Sequence, residues 1–304
     1  MTKAEEEMSG AAVVAKGLTR DYGNGAGVFD VGLRVDAGTV FGLVGPNGAG
    51  KTTLISLLCG LRRADRGSVS VRAERLALCP DVPDFEPWLT AAEVVSFGAR
   101  LRGEDVTRAK VEQALARVGL AGSAHRRHRS FSRGMRQRLG LAAALVCEPD
   151  LIVMDEPVSG LDPQGRAELL DLISGMRGRH TVLFSSHLLD DVQRVCDDVA
   201  VLKSGNVVYQ GSVGELINRY LRPAWHLWIR GQVDQVVAVF ARQEWATRVE
   251  PVDHHCLYVE ASSIEVGEAG IPRVLAEAGI GLVGMSAHEA GLESAFVSLT
   301  REGR

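Results

Sequence analysis

The segment that most constrains this chain is Gly45-Pro46-Asn47-Gly48-Ala49-Gly50-Lys51-Thr52, which fits the pattern G-x-x-x-x-G-K-[ST]. Before it lies a short apolar run, Val40–Val44, suited to a buried strand, and after it Thr52–Leu61 has helical periodicity. Strand, glycine loop and helix in that order are what a phosphate-binding loop requires. The glycines let successive backbone N–H groups curl around an anion, and the helix that follows aims its positive end at it. Lys51 is then placed to reach the β- and γ-phosphates of a nucleotide, with the Thr52 hydroxyl on Mg²⁺. Lysine occurs elsewhere only at positions 3, 16, 110 and 203, the other basic residues being arginine, so a lysine in this loop stands out.

A second segment completes such a site. Leu151-Ile152-Val153-Met154 is apolar throughout, as a central strand buried on both faces must be, and it runs straight into Asp155-Glu156. Carboxylates at the carboxyl end of a parallel strand emerge where α/β sheets bind ligands. Asp155 there suits Mg²⁺ and Glu156 suits polarising an attacking water. Around these segments, strand and helix patterns alternate. Strands are expected at Val13–Leu18, Gly32–Val35 and Thr181–Ser185, with Asp21–Gly27 a turn. Helices are expected at Thr90–Arg102, Arg108–Val118, Arg133–Val146 and Glu168–Met176. The fold class is therefore α/β with a mostly parallel core sheet. Past about Arg219 the pattern changes to short strands (Trp225–Ile229, Thr247–Val252, Cys256–Glu260) and helices (Val233–Arg242, Pro272–Ala278, and a last one near Leu292–Thr300). These imply a small α+β domain.

One further segment narrows the class. In Phe131-Ser132-Arg133-Gly134-Met135-Arg136-Gln137-Arg138, Ser132 is suited to cap a helix while its hydroxyl and the Gly134 N–H face an anion. With the other two segments in this order, residues from about 13 to 215 resemble the ABC ATPase family, and this third segment looks like that family's signature motif. The resemblance implies a P-loop NTPase with a RecA-like core, an N-terminal β-subdomain and a helical subdomain. It sets domain bounds of 11–220 for the ATPase and 221–304 for the accessory unit. Ser159-Gly160-Leu161-Asp162 resembles the D-loop that couples two sites across a dimer. His187 resembles the switch histidine at the γ-phosphate. Tyr22 resembles the aromatic that stacks on adenine, with Val28 nearby. Carried over residue by residue, the ATP contacts are Tyr22, Val28, Gly45, Pro46, Asn47, Gly48, Ala49, Gly50, Lys51, Thr52, Thr53, Ser132, Arg133, Gly134 and Asp162. Glu156 and His187 would be catalytic, and Thr52, Asp155 and Asp81 would serve Mg²⁺.

Asp81 departs from the pattern. Family members usually carry Gln about thirty residues after the loop lysine, and this chain has no Gln between Gly60 and Glu112. Asp81 takes that place in Leu78-Cys79-Pro80-Asp81-Val82-Pro83, and a carboxylate is a good Mg²⁺ ligand. Arg133 and Met135 stand where Gly and Gln are commonest, a variant similar to subunits that pair with a separate six-helix exporter permease. The tail, Gly291–Thr300, looks like the closing helix of those subunits. The resemblance thus implies a Mg-dependent ATPase working as a dimer, a homodimer by expectation, beneath an integral membrane permease.

Two other readings remain: a soluble ABC ATPase of translation or DNA maintenance, and a module that binds ATP without hydrolysing it. The first usually carries two ATPase halves, whereas this chain has one set of motifs. A formal net charge of −4 gives no reason to expect nucleic acid as a partner. The polar N-terminus and the shortness of the longest apolar run, near Leu139–Cys147, imply a soluble cytoplasmic chain held peripherally at the membrane by another polypeptide. Cys59, Cys79, Cys147, Cys196 and Cys256, scattered and odd in number, read as reduced thiols.

Overall fold

The computed structural model describes residues 9–220, 223–287 and 292. The chain divides into two compact units, the first ending at Val213 and the second beginning at Gly214. In the first unit, β1 (Ala11–Gly23) and β2 (Ala26–Asp36) form a hairpin whose loop is only Asn24-Gly25. Both residues have positive φ, 54° and 76°, the conformation that an Asn-Gly hairpin turn demands. The broad turn expected over Asp21–Gly27 is thus mostly strand. The elements that follow are β3 (Val40–Val44), α1 (Lys51–Leu58), β4 (Arg66–Val71), β5 (Leu76–Cys79), α2 (Ala91–Arg100), α3 (Arg108–Arg117) and α4 (Arg133–Leu145). After them come β6 (Leu151–Met154), α5 (Pro163–Ser174), β7 (Thr181–Ser186), α6 (Leu189–Val195), β8 (Asp198–Lys203) and β9 (Asn206–Ser212), and α7 (Val213–Tyr220) starts on the last residue of the first unit and lies otherwise in the second.

Two sheets result. Strands β2-β1-β4 make a three-stranded antiparallel sheet. Strands β5-β6-β7-β3-β8-β9 make a six-stranded sheet, parallel except for β9 at its edge. Every residue of β3, β6 and β7 is buried, as strands covered on both faces must be. Helix α1 contributes Leu54, Leu57 and Leu58 to one core shared with Val13, Leu18, Val28 and Val31 of the small sheet and Phe41, Leu43, Val153 and Leu183 of the large one. That two-sided burial fixes the start of α1, and with it the glycine loop. Helices α2, α3 and α4 pack on one another as a separate helical layer. Thr90 caps α2 with a reciprocal capping box to Glu93. The architecture is the α/β P-loop NTPase type that the sequence implies.

The second unit runs β10 (Ala224–Arg230), α8 (Val233–Phe240), β11 (Ala246–Pro251), β12 (Cys256–Ala261), α9 (Ile264–Glu277) and β13 (Gly281–Ala287). Its antiparallel sheet has the order β11-β12-β10-β13, a split β-α-β arrangement of the ferredoxin-like kind. Alternate residues Trp225, Leu227 and Ile229 meet Leu257 and Val259 against Phe240, Ile271 and Val274 of the helices. Helix α9 starts eight residues before the expected Pro272, which sits inside it, exposed, and the Glu268 carbonyl that its missing N–H leaves unpaired belongs to an exposed residue that water can reach. The helix expected near Leu292–Thr300 lies, except for Leu292, outside the described residues.

Candidate nucleotide site

Three parallel strands end on the same edge of the large sheet. Strand β3 leads into Gly45–Gly50, β6 into Asp155-Glu156, and β7 into His187, and β7 pairs with both of the others. Segments far apart in the chain therefore emerge side by side at the crevice where α/β sheets bind ligands.

Within the loop, the positions that look permissive are sterically required. A Cβ on Gly45 would stand 2.3 Å from the Leu202 carbonyl oxygen. Gly50 caps α1 at φ 105°, and a Cβ there would meet the Gly27 carbonyl at 2.7 Å and Val28 at 2.9 Å. The Pro46 carbonyl accepts the Ala49 N–H at 3.1 Å, closing the turn over Asn47 and Gly48, which are exposed, while Ala49 is buried. Lys51 is the first residue of α1 and is 7% exposed. Its Nζ donates to the Gly45 carbonyl at 2.7 Å and lies 3.1 Å from Glu156 Oε1. The other carboxylate oxygen of Glu156 shares a 2.7 Å hydrogen bond with His187 Nδ1. Glu156 thus bridges Lys51 and His187. Its backbone φ is 46°, a left-handed conformation that costs a side-chain-bearing residue about 1–3 kcal/mol.

The Mg²⁺ set is tested by its donors. Thr52 Oγ1 donates to Asp155 Oδ2 at 2.7 Å, and Ser185 Oγ donates to Asp155 Oδ1 at 2.6 Å. With its proton spent on Asp155, the Thr52 hydroxyl keeps lone pairs for a cation. A hydroxyl beside a carboxylate suits a hard ion that also takes phosphate and water oxygens. Among the described residues no cluster of three or more His, Cys, Asp or Glu could hold a metal alone, so such an ion would lean on phosphate. Asp81 is not brought into this group. Its carboxylate lies 3.1 Å from Arg133 Nη2, and that ion pair is the partner the structure gives it.

The adenine-side residues divide. Tyr22 is exposed on β1, and its hydroxyl accepts from Arg62 at 2.9 Å while the Arg20 guanidinium lies 5.1 Å from the ring centre. Partial burial pushes the phenol up, but bonds to Arg20, Arg62 and Thr53 outweigh it and hold the group below its ordinary range. Val28 corrects the expectation: it is fully buried beneath Gly50, so it supports the loop and offers no surface to a base.

The remaining motif residues gather elsewhere. Ser132 caps α4, its hydroxyl accepting the Met135 N–H at 3.2 Å. Asp162 caps α5, accepting the Gly165 N–H at 2.6 Å. Ser132, Arg133, Gly134, Gly160 and Asp162 line one cleft of about 630 Å³, with the Arg133 guanidinium lying against Gly160. Among the described residues no side-chain hydrogen bond or ion pair joins this group to Lys51, Thr52, Asp155, Glu156 and His187. The two groups of motif residues are thus separate within the chain. Sequence reasoning missed Ser185 and Arg62. The signal for Ser185 was a hydroxyl pair, Ser185-Ser186, closing an otherwise apolar strand.

Comparison with known proteins agrees with this geometry. Residues 28–159 match the family model described as ABC transporter. The chain is 39% identical over 207 residues to the uncharacterized ABC transporter ATP-binding protein YxlF of Bacillus subtilis (strain 168), covering 66% of this chain and 70% of that one. It is 31% identical over 319 residues to the daunorubicin resistance ATP-binding protein DrrA3 of Streptomyces coeruleorubidus, covering 98% of both. A solved ATP binding subunit of an ABC transporter superposes with TM-score 0.61 at 28% identity, over 69% of this chain and 93% of that one. A strand-loop-helix phosphate cradle, an acidic pair at the end of β6, and a relative aligned end to end lead to one assignment: this chain belongs to the ATP-binding subunits of ABC transporters.

Proposed function

We propose that two copies of this chain sandwich two Mg²⁺-bound ATP molecules head to tail, hydrolyse them, and so drive a separate integral membrane permease. The observation that carries this reading is the single cluster formed by Lys51, Thr52, Asp155, Glu156 and His187. On binding, Lys51 turns from Glu156 to the phosphate oxygens, which frees one oxygen of Glu156 to accept a proton from the attacking water. His187 stays on the other oxygen and keeps the carboxylate aimed. Thr52 and Asp155 would hold Mg²⁺, which would supply positive charge against the negative phosphates. Tyr22 offers its ring to adenine, and Thr53 flanks it. Asp81 has no part in this, since Arg133 occupies it.

The second half-site supports the dimer. Ser132 and Gly134 open α4, whose positive end favours an anion, yet among the described residues no hydrogen bond or ion pair ties their side chains to the chain's own phosphate loop. A partner's γ-phosphate fits that vacancy of role. We infer export because the relative aligned over its whole length is named for daunorubicin resistance. No helix among the described residues is long and apolar enough to cross a membrane, so a permease would hold the chain at the cytoplasmic face. The test is phosphate release from Mg-ATP by the purified chain beside Glu156→Gln. Removing the base should cut turnover about 10²- to 10⁴-fold while ATP stays bound. A Glu156→Gln chain that turns over at the normal rate overturns the mechanism.

A further inference from the structure

Ser185, the penultimate residue of β7, has none of its surface exposed, and its hydroxyl is used twice. It donates to Asp155 Oδ1 at 2.6 Å and accepts the Glu156 backbone N–H at 2.8 Å. A hydroxyl has one proton and two lone pairs, so this one bridges a carboxylate and an amide without conflict. The amide it holds belongs to the residue with left-handed φ, 46°. A non-glycine residue keeps that conformation only where its surroundings over-determine it. Here the Asp155 N–H is bound by the Cys79 carbonyl at 3.0 Å and the Glu156 carbonyl by the Ser159 N–H at 3.1 Å. The Glu156 N–H has Ser185, and no other hydrogen bond from that N–H appears among the described residues. From this fixed backbone the Glu156 carboxylate reaches Lys51 and His187 together.

We propose that Ser185 is a positioning residue for hydrolysis. By bridging Asp155 and the Glu156 amide, it locks the backbone turn that aims the base, and it turns the other Asp155 oxygen toward Thr52. The proposal rests on the reading of Glu156 as the base. A merely structural hydroxyl would show in stability and in ATP binding. A positioning hydroxyl shows in turnover.

The experiment measures steady-state ATPase and thermal unfolding of the full chain carrying Ser185→Ala, Ser185→Cys or Ser185→Thr, with Glu156→Gln in parallel. Misplacing a catalytic group by about 1 Å costs on the order of 100-fold in rate. Ala and Cys should therefore lose about 10- to 100-fold in kcat, with KM for ATP held within about threefold. Thr, which keeps the hydroxyl on a β-branched frame suited to a strand, should recover kcat to within about threefold of the parent. A folded Ser185→Ala chain with unchanged kcat overturns the proposal, and so does a loss in Ala that Thr, equally folded, does not recover. If Glu156→Gln is inactive while Ser185→Ala is fully active, only the positioning claim fails. If Glu156→Gln is itself fully active, the underlying reading fails.

Discussion

Replacing Lys51 by Ala probes the nucleotide site most sharply, because the structure shows what the lysine does before any nucleotide arrives. Its Nζ is 3.1 Å from Glu156 and 2.7 Å from the Gly45 carbonyl, in a setting where Lys51 is 7% exposed. ATP must take the ammonium from Glu156, so the net gain is what two phosphate contacts add over one carboxylate contact given up. Hydrogen bonds to charged groups contribute about 1.5–3 kcal/mol each, which leaves about 1.5–3 kcal/mol, one contact's worth, for the exchange. The Lys51→Ala chain should then bind Mg-ATP about 10- to 150-fold more weakly, read by titration calorimetry. Glu156 also loses one of two partners, but it keeps His187 and 16% of its surface. A cost of about 1–2 kcal/mol to the nucleotide-free chain follows, a fall of a few degrees in Tm. A dissociation constant within threefold of the parent would refute the reasoning, since Lys51 would then contribute nothing to phosphate.

Asp81→Ala should leave the Mg²⁺ concentration for half-maximal ATPase unchanged within about twofold, and barely move Tm, because its half-exposed pair with Arg133 is worth about 0–1 kcal/mol. A severalfold rise in that Mg²⁺ requirement would return Asp81 to the metal. Tyr22→Ala should raise KM for ATP about 5- to 100-fold, the value of about 1–3 kcal/mol for stacking on a base, while Tyr22→Phe stays near the parent. Equal KM values for the three would remove Tyr22 from the site. Burial pushes the Cys59 thiol up to about 11, so it stays protonated at pH 8. Disulfide-reagent labelling should therefore be slow at that pH and quicken steadily toward pH 11; fast labelling at pH 8 would contradict this.

What could be read in advance follows from how local each signal is. The phosphate loop and the Leu151–Glu156 strand were legible because their chemistry and context lie within one short segment. The ferredoxin-like unit was only partly so. Helix α9 begins at Ile264, ahead of the expected start at Pro272, and its first half contains Gly267 and Gly270. The structure shows why the glycines are there: a Cβ at Gly267 would meet the Trp225 ring at 2.2 Å and one at Gly270 the Trp245 ring at 2.6 Å. Tertiary packing overrode local propensity. Strands β4, β5, β8 and β9 were not anticipated; β4 (Arg66–Val71) and β9 (Asn206–Ser212) are edge strands with no fully buried residue, so neither forms the apolar run by which β3 and β6 stand out. In the site, the surroundings of Val28 and Asp81 were hidden for the same reason. Sequence order gave their neighbourhood, but burial under Gly50 and capture by Arg133 depend on residues far along the chain. Ser185 was missed because its partners, Asp155 and Glu156, lie 30 and 29 residues away.

The shared-site dimer is tested most directly by mixing two inactive chains, Lys51→Ala and a Ser132 variant that blocks the α4 cap, such as Ser132→Arg. Each alone lacks one half of every composite site. A mixed dimer pairs the intact phosphate loop of one chain with the intact Ser132 of the other, so one of its two sites is whole. Random assortment then restores about a quarter of the parent ATPase rate, rising with total protein concentration as pairing does. No recovery, in a mixture where cross-linking shows that mixed dimers form, would contradict the head-to-tail sandwich.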